Sequence, residues 1–263
     1  MLKIDFHTHA FIDRIAEKAI PTLAERSHLA PQTNGTLSGL LSSMDKAGLD
    51  KSVVANIATN PKQMMAVNNF AIESDGGRFI QFGSVHPDAE NWEDELYRLK
   101  ENNIKGIKLH PDYQGFFVDE DKMLPVYEKI TELGFILLFH AGYDIGFPDP
   151  VHLTPEGFSE VYKTLDTSRF VLAHMGGYKE TDCFLSLLAG KSFYIDTAFT
   201  LNNEIPLEIW NEIINAHGTD KVLFATDCPW ANQSSYVEEI YNRLPKETAD
   251  KLISENPCRL LGL

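Results

Sequence analysis

The chain has 263 residues, 43% of them hydrophobic and 23% charged, with 38 acidic against 23 basic side chains and a formal net charge of −15. That balance argues against DNA or RNA as a partner, because such binding needs clustered Lys and Arg. No apolar run approaches the roughly 18 residues that span a bilayer, the opening residues do not read as a secretory leader, and three irregularly spaced cysteines, Cys183, Cys228 and Cys258, do not make a disulfide framework. We therefore expect a soluble, cytoplasmic protein that acts on a small molecule and contacts neither membrane nor nucleic acid, with a homodimer as the commonest symmetric assembly.

In chain order, eight short apolar runs predict strands: Leu2–Phe6, Ser52–Ile57, Phe79–Val85, Ile104–Leu109, Phe135–Phe139, Phe170–Ala173, Phe193–Ile195 and Val222–Ala225. Most are continuously apolar rather than alternating, the pattern of strands buried on both faces of a parallel sheet. Helical patterns separate them. Two fall between the first two strands, around Asp13–Ser27 and Thr36–Ala47; others cover Asn91–Glu101, Val126–Leu133, Pro155–Leu165, Leu207–His217 and Ser235–Leu244. Eight strand-plus-helix units in about 250 residues predict a closed (β/α)8 barrel, an α/β fold of one domain over residues 1–263. Two connections are too long for plain turns: Ala10–Lys51 after strand 1, and Gly142–Pro155 after strand 5, with three prolines and Tyr143, Phe147 and His152. Both are expected to cover the site.

The polar residues gather where such barrels keep their active sites, at the C-terminal strand ends. His7 and His9 share one strand face, since positions i and i+2 point the same way. His86, His110, His140, His174, Asp196 and Asp227 close later strands. Six of the nine histidines thus converge on one mouth, and burying them there without a shared purpose would be costly. Neutral imidazole with carboxylate is the ligand set of Zn²⁺ and similar divalent ions, which lower the pKa of a bound water towards about 7. A carboxylate beside the ion can then move protons.

At these residues the chain resembles the amidohydrolase superfamily, specifically its amidohydrolase 2 branch of metal-dependent barrel hydrolases and decarboxylases. The matching pieces are Asp5-Phe6-His7-Thr8-His9, Gly106-Ile107-Lys108-Leu109-His110-Pro111, Phe139-His140-Ala141-Gly142, Ala173-His174-Met175-Gly176-Gly177 and Ala225-Thr226-Asp227-Cys228-Pro229-Trp230. The tail Glu255–Leu263 looks like the branch's final helix. The resemblance implies that His7, His9, His140 and Asp227 surround one divalent metal, Zn first among ions that include Mn. It implies that His174 is a further ligand, or the residue that polarises substrate and orients water, and that Asp227 doubles as the catalytic base.

Many superfamily members bind two metals through a carboxylated lysine at the end of strand 4, where this chain has His110. Lys108, about 6.6 Å lower on the same face, would be that lysine in a two-metal site. Otherwise it is a substrate-binding group, or a buried ammonium paired with a carboxylate such as Asp5. Asp5 is expected to support a ligand histidine from behind. His110 is the leading substrate contact, with His86 and Asp196 as weaker ones. Cys228, next to Asp227, is expected to be a buried, inert thiol. Gly142, Gly176 and Gly177 allow sharp turns beside a substrate.

The first functional reading is a metal-dependent hydrolase of a small amide, lactone or ester. The second is a decarboxylase of a cyclic or aromatic acid, with Arg14 or Arg26 as its anchor. A catalytically silent metal-binding or sensor protein is the reading from another class.

Overall fold

In the computed structural model, which describes residues 1–147, 149–201 and 204–263, eight parallel strands follow one another in chain order. They are β1 (Ile4–Thr8), β2 (Lys51–Ala55), β3 (Phe79–Gly83), β4 (Gly106–Leu109), β5 (Ile136–Phe139), β6 (Phe170–Leu172), β7 (Tyr194–Asp196) and β8 (Val222–Leu223). The sheet closes where Phe6 N–H donates to Phe224 O at 2.9 Å and Thr8 bridges Cys228 in parallel. The fold is the expected TIM barrel.

Around it run α1 (Asp13–Ser27), α2 (Leu37–Ala47), α3 (Met64–Ser74), α4 (Trp92–Glu101), the short α5 (Pro111–Gln114), α6 (Leu124–Glu132), α7 (Pro155–Thr164), α8 (Thr181–Leu187), α9 (Leu207–His217), α10 (Gln233–Arg243), α11 (Lys246–Asp250) and α12 (Asn256–Leu261). None of the described helices is long and apolar enough to cross a membrane. Local chemistry sets several starts: Thr36, Thr154 and Asn232 accept from Gly39, Gly157 and Ser235 N–H at 3.0, 3.2 and 3.1 Å. Pro155 sits at the first position of α7, where no N–H is needed.

The continuous apolar runs now have their cause. Alternate strand residues, among them Ile4, Phe6, Val53, Phe82, Leu138 and Val171, fill the barrel interior. Their neighbours, such as Val54, Ile107, Leu137, Phe139 and Phe170, pack outward against helix residues including Met44, Leu96, Leu99 and Trp210. Both faces are packed against apolar neighbours, so the runs are predominantly apolar on both sides.

The strand-1 connection forms the two expected helices. In the strand-5 cover, Gly142 (φ 80°) bridges Tyr178 of the loop after β6; a Cβ on Gly142 would lie 2.2 Å from Tyr178 N. Only glycine allows the two loops to meet there. Pro148, one of the cover's three prolines, lies outside the described residues.

Candidate metal centre

Strict alternation along β1 would turn His7 away from the interior, because Ile4 and Phe6 already face inward. The β1–β2 register shifts between Asp5 and Thr8: Asp5 pairs with Ser52, yet Thr8 pairs with Val54. This bulge inserts one residue and re-aims His7 and His9 at the barrel mouth. Asp5 fixes it. Its carboxylate accepts from His7 N–H (3.3 Å), Thr226 N–H (3.0 Å), the Thr226 hydroxyl (2.6 Å) and Gln233 Nε2 (2.7 Å), tying β1 to the end of β8. Asp5 therefore supports a histidine through the backbone, not through its ring, and burial pushes its pKa up to about 7.

The ring partner of His7 is Asp196, with Oδ2 3.0 Å from Nδ1. His9 Nδ1 lies 2.8 Å from Ala55 O. A carbonyl and a carboxylate accept, so both rings carry their proton on Nδ1 and expose a lone pair on Nε2. Those two Nε2 atoms lie 3.2 Å apart, and Asp227 Oδ1 is 3.1 Å from His9 Nε2 and 3.7 Å from His7 Nε2. Three acceptors thus converge, all within 4.8 Å. Among the described residues the one donor beside them is Lys108 Nζ, which reaches His7 Nε2 at 3.2 Å. Burial and neighbouring cationic groups hold His7 well below the usual histidine range, so it offers the neutral form that a metal needs. An acceptor array short of donors is what a divalent cation satisfies, and these residues fit one.

His174 N–H donates to Asp196 Oδ1 at 3.0 Å, and His174 Nδ1 lies 2.9 Å from Ala198 O. Its Nε2 is therefore an acceptor, 3.0 Å from His140 Nδ1. That leaves His140 Nε2 as a buried lone pair with no hydrogen-bond partner among the described residues, and burial keeps His140 well below its usual pKa. The orphaned nitrogen suits a ligand, but His140 belongs to a second group, with His110 and Asp144, rather than to the acceptor trio. In that group the His110 and His140 rings stack in parallel, 4.1 Å apart at 6°. Two parallel imidazoles cannot both hold one ion in their ring planes. His110 Nδ1 accepts from Tyr113 N–H at 3.5 Å, so Nε2–H points at Asp144 Oδ2, 3.2 Å away. His110 is a hydrogen-bond donor facing the cavity.

A cavity of about 1100 Å³ opens over these groups and takes in His7, His9, Lys108, His110, His140, His174 and Asp227. Tyr113, Tyr143, Tyr178, Phe199 and Trp230 give it aromatic walls, and both long connections contribute to its lining. Lys108 is fully buried, and among the described residues no carboxylate forms an ion pair with it, so the expected pairing with Asp5 does not occur. Burial pushes Lys108 down to about 8, against the pull of Asp196, Asp227 and Asp144.

Two weaker substrate contacts are placed elsewhere. Asp196 stands behind His7 and His174, and burial pushes it up to about 6. His86 accepts from Asp88 N–H at 3.2 Å and closes a turn outside the cavity lining. Cys228 is buried, and burial pushes its thiol up to about 12, an inert state.

Sequence reasoning missed Asp144 and Asp112. Asp112 Oδ1 pairs with His152 Nδ1 at 2.9 Å, while its Oδ2 lies 3.8 Å from His110 Nδ1. Neither aspartate follows a strand pattern. The one available signal was an acid near a strand-terminal histidine.

The family model described as Amidohydrolase matches residues 4–263. No curated protein sequence matches the chain. Among solved structures, an uncharacterised TIM-barrel protein from Bordetella bronchiseptica is 17% identical, with a TM-score of 0.78 over 100% of this chain and 99% of that one. A probable 2-pyrone-4,6-dicarboxylic acid hydrolase from Acinetobacter baumannii is 20% identical (TM-score 0.67, 100% of both chains). A dihydroxybenzoic acid decarboxylase from Polaromonas sp. JS666, with bound manganese and 2-nitroresorcinol, is 16% identical (TM-score 0.69, 100% and 97%).

Proposed function

Because the chain belongs to the amidohydrolase family, which includes metal-dependent hydrolases and decarboxylases, we propose that it hydrolyses a small amide, lactone or ester at a single divalent metal centre. The observation that carries this reading is the convergence of His7 Nε2, His9 Nε2 and Asp227 Oδ1, three acceptors that share one donor. A catalytically silent metal-binding protein would not need this array to open onto a cavity with further polar groups aimed inward.

His7, His9 and Asp227 would hold the ion, and His140, which stands with His110 and Asp144, would turn its orphaned Nε2 towards it as the fourth ligand. Zinc is the first choice for three neutral imidazoles and a carboxylate, and manganese the second. The bound ion would supply Lewis acidity and a water of lowered pKa. Asp227 takes the proton from the attacking water and returns it to the leaving group. His174, whose Nε2 accepts from His140 Nδ1, would orient that water or polarise substrate once His140 turns towards the ion. Lys108 and His110 donate to substrate oxygens from the strand-4 side. One ion fits better than two, because the stacked His110 and His140 do not share an in-plane site. The three unpaired cysteines support a reducing, cytoplasmic setting.

Decarboxylation is the second reading, favoured by the aromatic walls and the buried Lys108, which suit a flat acid. Assaying metal-loaded protein on panels of esters, lactones and aromatic acids separates the two. Hydrolysis without carbon dioxide release supports the first reading, and carbon dioxide release without hydrolysis overturns it in favour of the second.

A further inference from the structure

The cavity, at about 1100 Å³, exceeds the about 300–1,000 Å³ of pockets that hold drug-sized ligands. A one-ring acid at the metal centre would occupy only its floor. Beyond the floor, α1 and α3 form the walls. Ile12, at the start of α1, and Ile15 within it are 37% and 47% exposed although both line the cavity, together with Val67 and Phe70 of α3. Apolar side chains left uncovered inside a cavity are free to be covered by a ligand.

The same helix supplies charge. Arg14 and Lys18 stand one turn apart on α1 and line the cavity, and among the described residues neither has an ion-pair partner. Arg26, further along, also lines it and bonds the Tyr113 hydroxyl. Glu17 is the one carboxylate that α1 adds to the described lining. In a chain of net charge −15, a wall with three cations and one acid is a local reversal of sign, suited to drawing an anion into a negative protein.

We propose that the substrate is an amphipathic anion. Its reacting group lies at the strand ends, its apolar body, longer than one ring, runs along Ile15, Val67 and Phe70, and its charged oxyanion end is held by Arg14 and Lys18. Only the placement of the reacting group rests on the metal-dependent reading above.

The test is calorimetric binding of butyrate, octanoate and 1-octanol to chelator-stripped protein, where no ion can capture a carboxylate. Octanoate should bind roughly tenfold or more tightly than butyrate, from the added methylenes, and more tightly than octanol. The double variant Arg14→Gln/Lys18→Gln should weaken octanoate about fivefold and leave octanol unchanged. Equal affinity for butyrate and octanoate overturns the proposal, as does octanoate binding indifferent to the double variant, or an equal loss for octanol. Zinc titration of the same stripped protein reads the metal centre separately. Failure to take up zinc with the octanoate pattern intact would overturn the proposed function alone; zinc uptake with no chain-length dependence would overturn this inference alone.

Discussion

Asp227 combines two demands in one residue. Its Oδ1 faces the His7 and His9 lone pairs, while its backbone is held at φ 70°, a left-handed conformation that costs a non-glycine residue about 1–3 kcal/mol. The bond from Asp227 N–H to His7 O, 2.8 Å, helps hold it there. Asp227→Asn should lower turnover by about 10²–10⁴-fold with an unchanged circular dichroism spectrum; near-normal turnover would remove Asp227 from the proton-handling role. Asp196 acts through other residues, fixing the His7 ring and the His174 backbone with one carboxylate. Asp196→Asn should weaken zinc affinity about 10–100-fold in chelator competition, because an amide can present its N–H₂ to Nδ1 and release the wrong tautomer. These two aspartates differ in how far the sequence revealed them. Asp227 closes an apolar run and matches a motif. Asp196 also closes a strand, but nothing in the sequence says that its carboxylate turns behind His7 rather than into the cavity.

At the scale of elements, strand positions were legible and strand register was not. Burial on both faces wrote each strand as an apolar run, so the predicted ends fall close to those observed. The β1 bulge left no such mark: Leu2–Phe6 reads as regular, and the inward turn of His7 depends on Asp5 reaching Thr226 and Gln233 across more than 220 residues of chain. α3 was also unmarked. Its buried Asn68 donates to Ser84 O and Glu95, both at 2.8 Å, and so places a polar residue where an apolar stripe would be expected. The β5 cover depends on Gly142, whose missing Cβ lets Tyr178 approach. Gly142→Ala should cost about 1–3 kcal/mol in denaturant unfolding and raise KM by displacing Tyr143 and Asp144, which line the cavity. Unchanged stability and KM would show that the two loops meet with room to spare.

For the whole molecule, buried neutral histidines set the acid limit. His217, outside the cavity lining, is 4% exposed, lies with Nε2 3.1 Å from Phe193 O and accepts from Gly190 N–H. Burial pushes its pKa down to about 4. Between pH 6.5 and 4 the unfolded chain binds a proton there that the folded chain does not, so stability falls as pH falls through that window. His217→Gln keeps a donor for Phe193 O and does not titrate. In metal-free protein, the stability gap between wild type and this variant should narrow by up to about 3 kcal/mol from pH 6.5 to 4 in urea unfolding. Parallel pH profiles would mean that His217 charges without penalty.

The account turns on a cation between His7, His9 and Asp227. The most direct measurement is anomalous diffraction from crystals of protein purified without chelators, with the element identified at its absorption edge. The predicted result is one divalent ion about 2.0–2.2 Å from His7 Nε2, His9 Nε2 and an Asp227 oxygen, with His140 turned towards it. Protein that takes up no divalent ion, or binds one away from these three side chains, would contradict it.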